Sequence, residues 1–291
     1  MKDRSNEDGW LDIVAAKTCA TKAERVELVQ SLWGGYGELV RVRLHGTPRS
    51  SVIVKWVKPP AGDRRDVSHA RKVRSYQVET AFYRSYGSRR IDAPRIAELL
   101  GHAESNGERL LILEDLDDAG FARRSRSPRG VDLDRCLAWL AAFHARFLGQ
   151  RPDGLWKTGT YWHLATRPTE LAVSTKRDPS IAVRAAELDR KLAAATFRTF
   201  VHGDAKPANF CFGPAGVAAV DFQYVGGGPG IVDVAYLLHG EPDARSALAI
   251  YFAHLRTTLG SEVDAAAIEH EWRLLYPVAV ADFERFLHGW R

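Results

Sequence analysis

Apolar and polar positions alternate in short runs through the first third of the chain and recur at helical spacing through most of the remainder. Val26-Glu27-Leu28-Val29 and Leu39-Val40-Arg41-Val42-Arg43-Leu44 read as strands on either side of Leu32-Trp33-Gly34-Gly35-Tyr36-Gly37-Glu38. Over 51–57, Val52, Val54 and Trp56 take one face of a strand and Ile53, Lys55 and Val57 the other. The spacing predicts a helix over 70–86 with Tyr76, Tyr83 and Tyr86 on one side. Asn106-Gly107 is a strong hairpin signal and pairs a strand over 96–103 with one over 108–116. Asp117-Asp118-Ala119-Gly120 then has the composition of a linker. Helical periodicity dominates from Val131, with a central helix over 133–144 and a last helix over 265–290. This pattern predicts an α+β protein: a mainly antiparallel sheet with one helix over 1–116, then a mostly helical part over 117–291.

Lys55 shares its strand face with two β-branched apolar residues, an expensive place for an ammonium unless an anion meets it. Glu79 lies three residues after Tyr76 and four before Tyr83, on the same apolar helix face, and is its natural partner. Gly34, Gly35 and Gly37 let backbone N–H groups approach phosphates closely, although glycines also make plain hairpin turns. Further on, Val201-His202-Gly203-Asp204-Ala205-Lys206-Pro207-Ala208-Asn209 is followed by Asp221-Phe222-Gln223. Phosphoryl transfer from a nucleotide needs that inventory. One carboxylate takes the acceptor proton, a cation meets the transferred phosphate, and an amide and a second carboxylate hold a divalent metal. Strand-like residues before both acidic points predict a short hairpin that brings the acidic ends together.

With these residues assembled, the chain resembles the aminoglycoside phosphotransferase and choline kinase superfamily, most closely its ecdysteroid-kinase-like branch with bacterial relatives. The likeness covers nearly the whole chain. It rests on Tyr76-Gln77-Val78-Glu79-Thr80-Ala81-Phe82-Tyr83, Leu113-Glu114-Asp115-Leu116, His202-Gly203-Asp204 with Asn209, and Asp221-Phe222-Gln223. Gln223 stands where protein kinases carry Gly, as in that family. The resemblance implies a protein-kinase-like two-lobed fold, with an N-lobe over 1–116 and a C-lobe over 117–291. It implies ATP and Mg²⁺ as cofactors and a small-molecule alcohol as acceptor: an amino alcohol, an antibiotic or a sterol-like alcohol. Carried over by position, Asp204 is the catalytic base, Asn209 and Asp221 are metal ligands, and Lys55 is the phosphate lysine paired with Glu79. Lys206 stands where protein kinases place a γ-phosphate lysine that many antibiotic kinases lack. The backbone of Glu114 and Leu116 is expected to meet adenine, Asp233 to brace the catalytic loop, and His202 to shape it. His144 reads as a core histidine.

Two segments read as acceptor equipment. One is Leu155-Trp156-Lys157-Thr158-Gly159-Thr160-Tyr161-Trp162-His163; the other is the last helix with Trp272, Tyr276, Asp282 and Phe286. Aromatic walls with a few carboxylates predict an amine-bearing, cyclic or partly apolar acceptor. The 291 residues suffice for two substantial cores, and 45% hydrophobic with 26% charged residues is ordinary globular composition. The charged start is unlike a signal peptide, and no apolar run reaches membrane-spanning length. Cys19, Cys136 and Cys211 follow no disulfide or zinc spacing, which points to a reducing cytoplasm. The net charge of +5 is concentrated in Arg64-Arg65, Arg71-Lys72-Arg74 and Arg123-Arg124-Arg126-Arg129. None is interleaved with aromatics as a single-strand nucleic-acid surface requires, so neither nucleic acid nor membrane is an expected partner. The absence of Ala-Pro-Glu and the short span from Asp221 to Asp233 argue against a protein kinase. The rival expectation is a catalytically inactive kinase-like nucleotide-binding protein. Oligomeric state is not legible in the sequence.

Overall fold

The computed structural model describes residues 9–60, 66–87 and 94–290, the side chains of 289 and 290 excepted. The Arg64-Arg65 pair lies outside these residues. The N-terminal part is a five-stranded antiparallel sheet in the order β1-β2-β3-β6-β5. Its strands are β1 (Lys22–Ser31), β2 (Gly37–His45), β3 (Ser51–Val57), β5 (Leu99–Ser105) and β6 (Glu108–Glu114). A short β4 (Arg95–Ile96) precedes β5. Asn106 and Gly107, both at positive φ, close the β5–β6 turn in which the sequence places them.

The two faces of this sheet do different work. Val40, Val42, Leu44, Val52 and Val54 point to one side and are buried against Trp10 and Val14. Those two belong to α1 (Gly9–Thr18), a helix that the sequence reading did not anticipate. Leu39, Arg41, Ile53 and Lys55 point to the other side, into a cleft. Helix α2 (Val67–Phe82) is capped by Asp66, whose carboxylate accepts from the His69 N–H at 2.7 Å. A single π-turn, Tyr83–Gly87, extends it. This is the helix expected over 70–86, started one turn earlier by its cap.

The C-terminal part is built mainly from α3 (Val131–Arg146), α4 (Pro168–Arg177), α5 (Ser180–Ala193), α6 (Ile231–Leu237), α7 (Ala244–Thr258) and α8 (Ala265–Trp290). Between them run the short strands β7 (Arg123–Arg124), β8 (Thr199–Val201), β9 (Phe210–Gly213), β10 (Gly216–Ala219) and β11 (Gly226–Gly228). One departure from expectation is informative. The strand before Asp204, β8, pairs with β11, whereas the hairpin is β9–β10. Asn209 therefore precedes one arm of the hairpin and Asp221 follows the other, and the Val220 N–H donates to the Asn209 carbonyl at 3.0 Å. The hairpin brings the two metal-ligand candidates together; Asp204 joins them through the loop.

The largest apolar core joins both parts. Phe222 stacks on Phe82 of α2 at 4.2 Å between ring centroids and sits 6.1 Å from Phe143 of α3. Fully burying a Phe contributes on the order of 2–3 kcal/mol, so this cluster is a firm floor beneath Asp221. Kinase-like in architecture, the molecule has an antiparallel N-lobe sheet and a helical C-lobe. Among the described residues no helix is long and apolar enough to cross a membrane.

Candidate active site

Lys55 sits in the centre of the cleft face of β3, and its Nζ donates to the Glu79 carboxylate at 2.6 Å. Both side chains are almost fully buried. The Asp221 carboxylate lies 3.5 Å from the same Nζ. Burial opposes the charge on Lys55, but Glu79 and Asp221 outweigh it and hold its pKa above the ordinary lysine value. Burial also works against the Asp221 anion, and there Lys55, Lys206 and His202 win, keeping that carboxyl below the usual range. Asp221 adopts φ 68, a left-handed conformation rare outside glycine, which turns the chain sharply after the hairpin. Gln223 donates to its Oδ1 at 2.8 Å.

The catalytic-loop candidate is held from below. The Asp233 carboxylate accepts from the backbone N–H groups of His202 at 2.6 Å and Gly203 at 2.9 Å. His144 contacts the same carboxylate at 3.1 Å, and Tyr251 bonds the other ring nitrogen at 2.8 Å. His202 donates through Nε2 to the Val220 carbonyl, and its Nδ1 accepts from the Asp204 N–H. Gly203 cannot be replaced cheaply: φ is 78, and a Cβ would lie 2.1 Å from the Tyr224 carbonyl oxygen. Fixed this way, the Asp204 carboxylate accepts from Lys206 Nζ at 2.7 Å, Asn209 Nδ2 at 3.1 Å and Tyr236 Oη at 3.3 Å. Burial raises the Asp204 pKa, Lys206 opposes that rise and Asp221 adds to it; the net direction is upward. Asn209 also donates to the Asp204 carbonyl at 2.8 Å, leaving its Oδ1 as the oxygen available to a cation.

Lys55, Glu79, Asn209, Asp221 and Gln223 line a cleft of ≈ 260 Å³, and Asp204 adjoins it through its contact with Asn209. Leu32, Leu39, Ile53 and Leu113 supply apolar walls, and Asn209 and Asp221 line the end nearer Lys55. Residues 114–116 form the connecting edge. The Glu114 carboxylate is engaged by Arg95 at 2.7 Å, and the Leu116 carbonyl accepts from the Phe121 N–H. Arg41, which was not singled out in the sequence, ties β2 to this edge through Asp115 at 2.7 Å and Asp117 at 2.5 Å. Strand alternation puts it on the cleft face, but the two acidic partners at this edge lie more than 70 residues further along.

The glycine-rich turn departs from expectation. Among its residues Leu32 lines the cleft, whereas Gly34, Gly35 and Gly37 do not. Tyr36 pulls the turn toward α2, with its hydroxyl 2.6 Å from His69 and the Lys72 ammonium 4.7 Å above its ring. Gly37 has a packing reason instead: φ is 127, and a Cβ would lie 2.0 Å from the Trp56 carbonyl oxygen.

The acceptor-wall expectations need correction as well. Trp272 is fully buried, donates to the Phe197 carbonyl and packs edge-on against His144. Tyr276 packs among Val201, Val232, Ala235 and Ala279. Trp162 and Asp282 are buried together, the indole donating to the carboxylate at 3.1 Å, and Arg285 takes the other oxygen at 2.8 Å. Each lost its role because a distant polar or apolar partner claimed it. The aromatic groups that do approach Asp204 are Tyr236, Tyr161 and Tyr224. Tyr161 lies 5.7 Å from Tyr236 and 6.0 Å from Tyr224, ring to ring, and its N–H donates to the Gly203 carbonyl. The sequence signal for Tyr161 was the aromatic segment before α4; Tyr224 and Tyr236 offered none beyond nearness to Asp221 and Asp233.

Residues 30–268 match the model of the phosphotransferase enzyme family. The chain belongs to that family. The fold agrees with solved phosphotransferase structures. Amicoumacin kinase hAmiN, in complex with AMP-PNP, Ca²⁺ and Ami, superposes with a TM-score of 0.57 at 15% identity over 98% of this chain and 89% of that one. Choline kinase from Cryptosporidium parvum Iowa II gives 0.54 at 11% identity over 91% and 88%. Choline kinase LicA from Streptococcus pneumoniae gives 0.51 at 13% identity over 97% and 90%. No curated protein matches the sequence.

Proposed function

We propose that this phosphotransferase transfers the γ-phosphoryl group of ATP to a hydroxyl of a small molecule, with the lobe boundary at 116/117. The observation that carries the reading is a cleft lined by Lys55, Glu79, Asn209 and Asp221, with Lys55 held by Glu79 at 2.6 Å and facing Asp221 at 3.5 Å, and with Asp204 joined to Asn209 at 3.1 Å. Lys55, fixed by Glu79, is a preset cation for phosphate oxygens. Oxygen donors suit a hard cation such as Mg²⁺, which takes few protein ligands and completes its shell with water and phosphate oxygens. Asn209 Oδ1 and the Asp221 carboxylate are the oxygens that would hold it, and its charge would neutralise the phosphate chain. The apolar slot under Leu39 and Ile53 fits a flat purine, read along the backbone of 114–116.

Asp204 would accept the proton of the acceptor hydroxyl as the bond to phosphorus forms. Burial raises its pKa, which makes it a better base than an ordinary carboxylate. Lys206 would exchange part of its contact with Asp204 for the incoming phosphoryl oxygens. Catalysis then rests on in-line positioning and charge stabilisation, with no covalent enzyme intermediate. The test is acceptor-dependent ADP release. Asp204→Asn should lower turnover by roughly 10²-fold or more with ATP affinity nearly intact. Near-normal turnover in that variant with the true acceptor would defeat the assignment.

A further inference from the structure

The wall beyond Asp204 is rich in guanidinium groups. Arg71 of α2 reaches across to the C-lobe, where its Nη1 donates to the Thr166 carbonyl at 3.2 Å and lies 3.3 Å from Glu170 Oε1. Arg167 Nη1 lies 3.2 Å from that same oxygen. Both side chains are 11% exposed. Arg71 Nε and Glu170 Oε2 are buried atoms with no hydrogen-bond partner. Leaving a charged group's buried donor unsatisfied is costly, so an unfilled Nε marks a place where an acceptor atom is wanted. Arg74, one turn on from Arg71, rests on the Trp156 ring at 5.9 Å and donates to the carbonyls of Gly154 and Leu155.

These cations are connected to the reacting centre by tyrosines. The Arg167 guanidinium lies 5.6 Å over the Tyr161 ring and donates to the Tyr161 carbonyl at 2.8 Å. Tyr161 in turn contacts Tyr236, which touches Asp204. Tyr224 stands between the two charge groups. Burial raises its phenol, Arg167 and Arg71 pull it down, and Asp221 and Asp204 push it up. A hydroxyl held at Asp204 thus belongs to a molecule whose far end meets arginines. The carboxylate expected to greet an ammonium there, Asp282, is instead consumed by Arg285 and Trp162.

Resting on the phosphotransferase reading, we infer that the acceptor is an anionic alcohol: a hydroxyl-bearing molecule with a flat or apolar body lying on Tyr161 and Tyr224 and a carboxylate or phosphate group met by Arg71 and Arg167. Guanidinium forks match both anions, and an anion here would give the Arg71 Nε the acceptor it lacks.

The test is ADP release with a panel of aryl-alkyl alcohols on one scaffold, ending in a carboxylate, a phosphate, a neutral amide or an ammonium. We expect the carboxylate or the phosphate member to be used with kcat/KM at least ~10-fold above the amide, and the ammonium member last; which anion leads identifies the source. Arg71→Gln, and independently Arg167→Gln in case the first variant folds poorly, should shrink the anion-to-amide ratio several-fold. Preference for the ammonium or amide member, an unaltered ratio in both variants, or no binding of either anionic member by calorimetry overturns the inference. Calorimetry of ATP with Mg²⁺ on the same sample reports separately on the phosphotransferase reading.

Discussion

The phosphate side and the acceptor side of the cleft use the same vocabulary, buried carboxylates, cations and aromatic rings, but they draw their partners from different distances. On the phosphate side, Asp204, Lys206 and Asn209 lie within one loop, and Asp221 follows the adjoining hairpin. Lys55 and Glu79 occupy apolar faces of single elements, where an unpartnered charge is too costly to leave. On the acceptor side, Trp162 is partnered 120 residues away by Asp282, and Trp272 reaches back 75 residues to Phe197. Local spacing determines the first set. Tertiary packing determines the second, and aromatic content alone gives a core residue and a pocket wall the same appearance.

The largest effect that tests this contrast is on the phosphate side. Asp221→Ala removes an anionic oxygen from the metal-ligand candidates and one of two anions facing Lys55. Turnover should fall by roughly 10³-fold, and the Mg²⁺ dependence of ATP binding should flatten in titration calorimetry. ATP binding with unaltered metal dependence would show that the cation is held elsewhere.

On the acceptor side the expected loss is in stability. Asp282→Ala leaves the Arg285 guanidinium buried at 9% exposure without its carboxylate, a loss of about 3–5 kcal/mol in chemical denaturation. Trp272→Ala should cost a similar ~3–5 kcal/mol by opening a cavity beside His144. If either variant unfolds like the wild type while losing acceptor use alone, these residues face the substrate after all.

How much could be read beforehand follows the same division. The β5–β6 turn at Asn106-Gly107, the faces of β3, the helix carrying Glu79 and the last helix over 265–290 were all visible as periodicity or turn chemistry. Helix α1 was missed because it is short, and only Trp10 and Val14 of its ten residues are buried. The glycine turn reads equally as a phosphate loop or a plain turn, because three glycines advertise only backbone freedom; the Tyr36 bond to His69 of α2 is not legible in that spacing. Arg41 was invisible as a cleft residue, because an arginine in a sequence carries no record of which distant carboxylate will receive it.

A smaller effect separates the base from its neighbours. Lys206 opposes the burial-driven rise of the Asp204 pKa. Replacing it by Met removes that opposition, so Asp204 should protonate at a higher pH and the acidic limb of kcat/KM should move upward. A limb that moves toward lower pH would mean that Asp204 is not the titrating base.

The smallest effect concerns the other oxygen of the same carboxylate. Tyr236 Oη lies 3.3 Å from Asp204 Oδ1, and burial, with Asp204 itself, keeps its phenol protonated by raising its pKa. The hydroxyl therefore donates throughout the working pH range and holds the carboxylate in one rotamer, while Lys206 and Asn209 hold Oδ2. Removing one neutral donor from a carboxylate that keeps Lys206 and Asn209 costs about 0.5–1.5 kcal/mol, so Tyr236→Phe should lower kcat by about 2- to 10-fold. The ring stays in place, so its packing on Trp162 and Phe283 is retained and stability should hardly move. The KM for ATP should also hold, because Tyr236 does not line the nucleotide cleft. A loss confined to kcat with an intact denaturation midpoint identifies Tyr236 as a positioning residue for the base. A loss in ATP affinity would place it on the phosphate side and erase the division between the two regions.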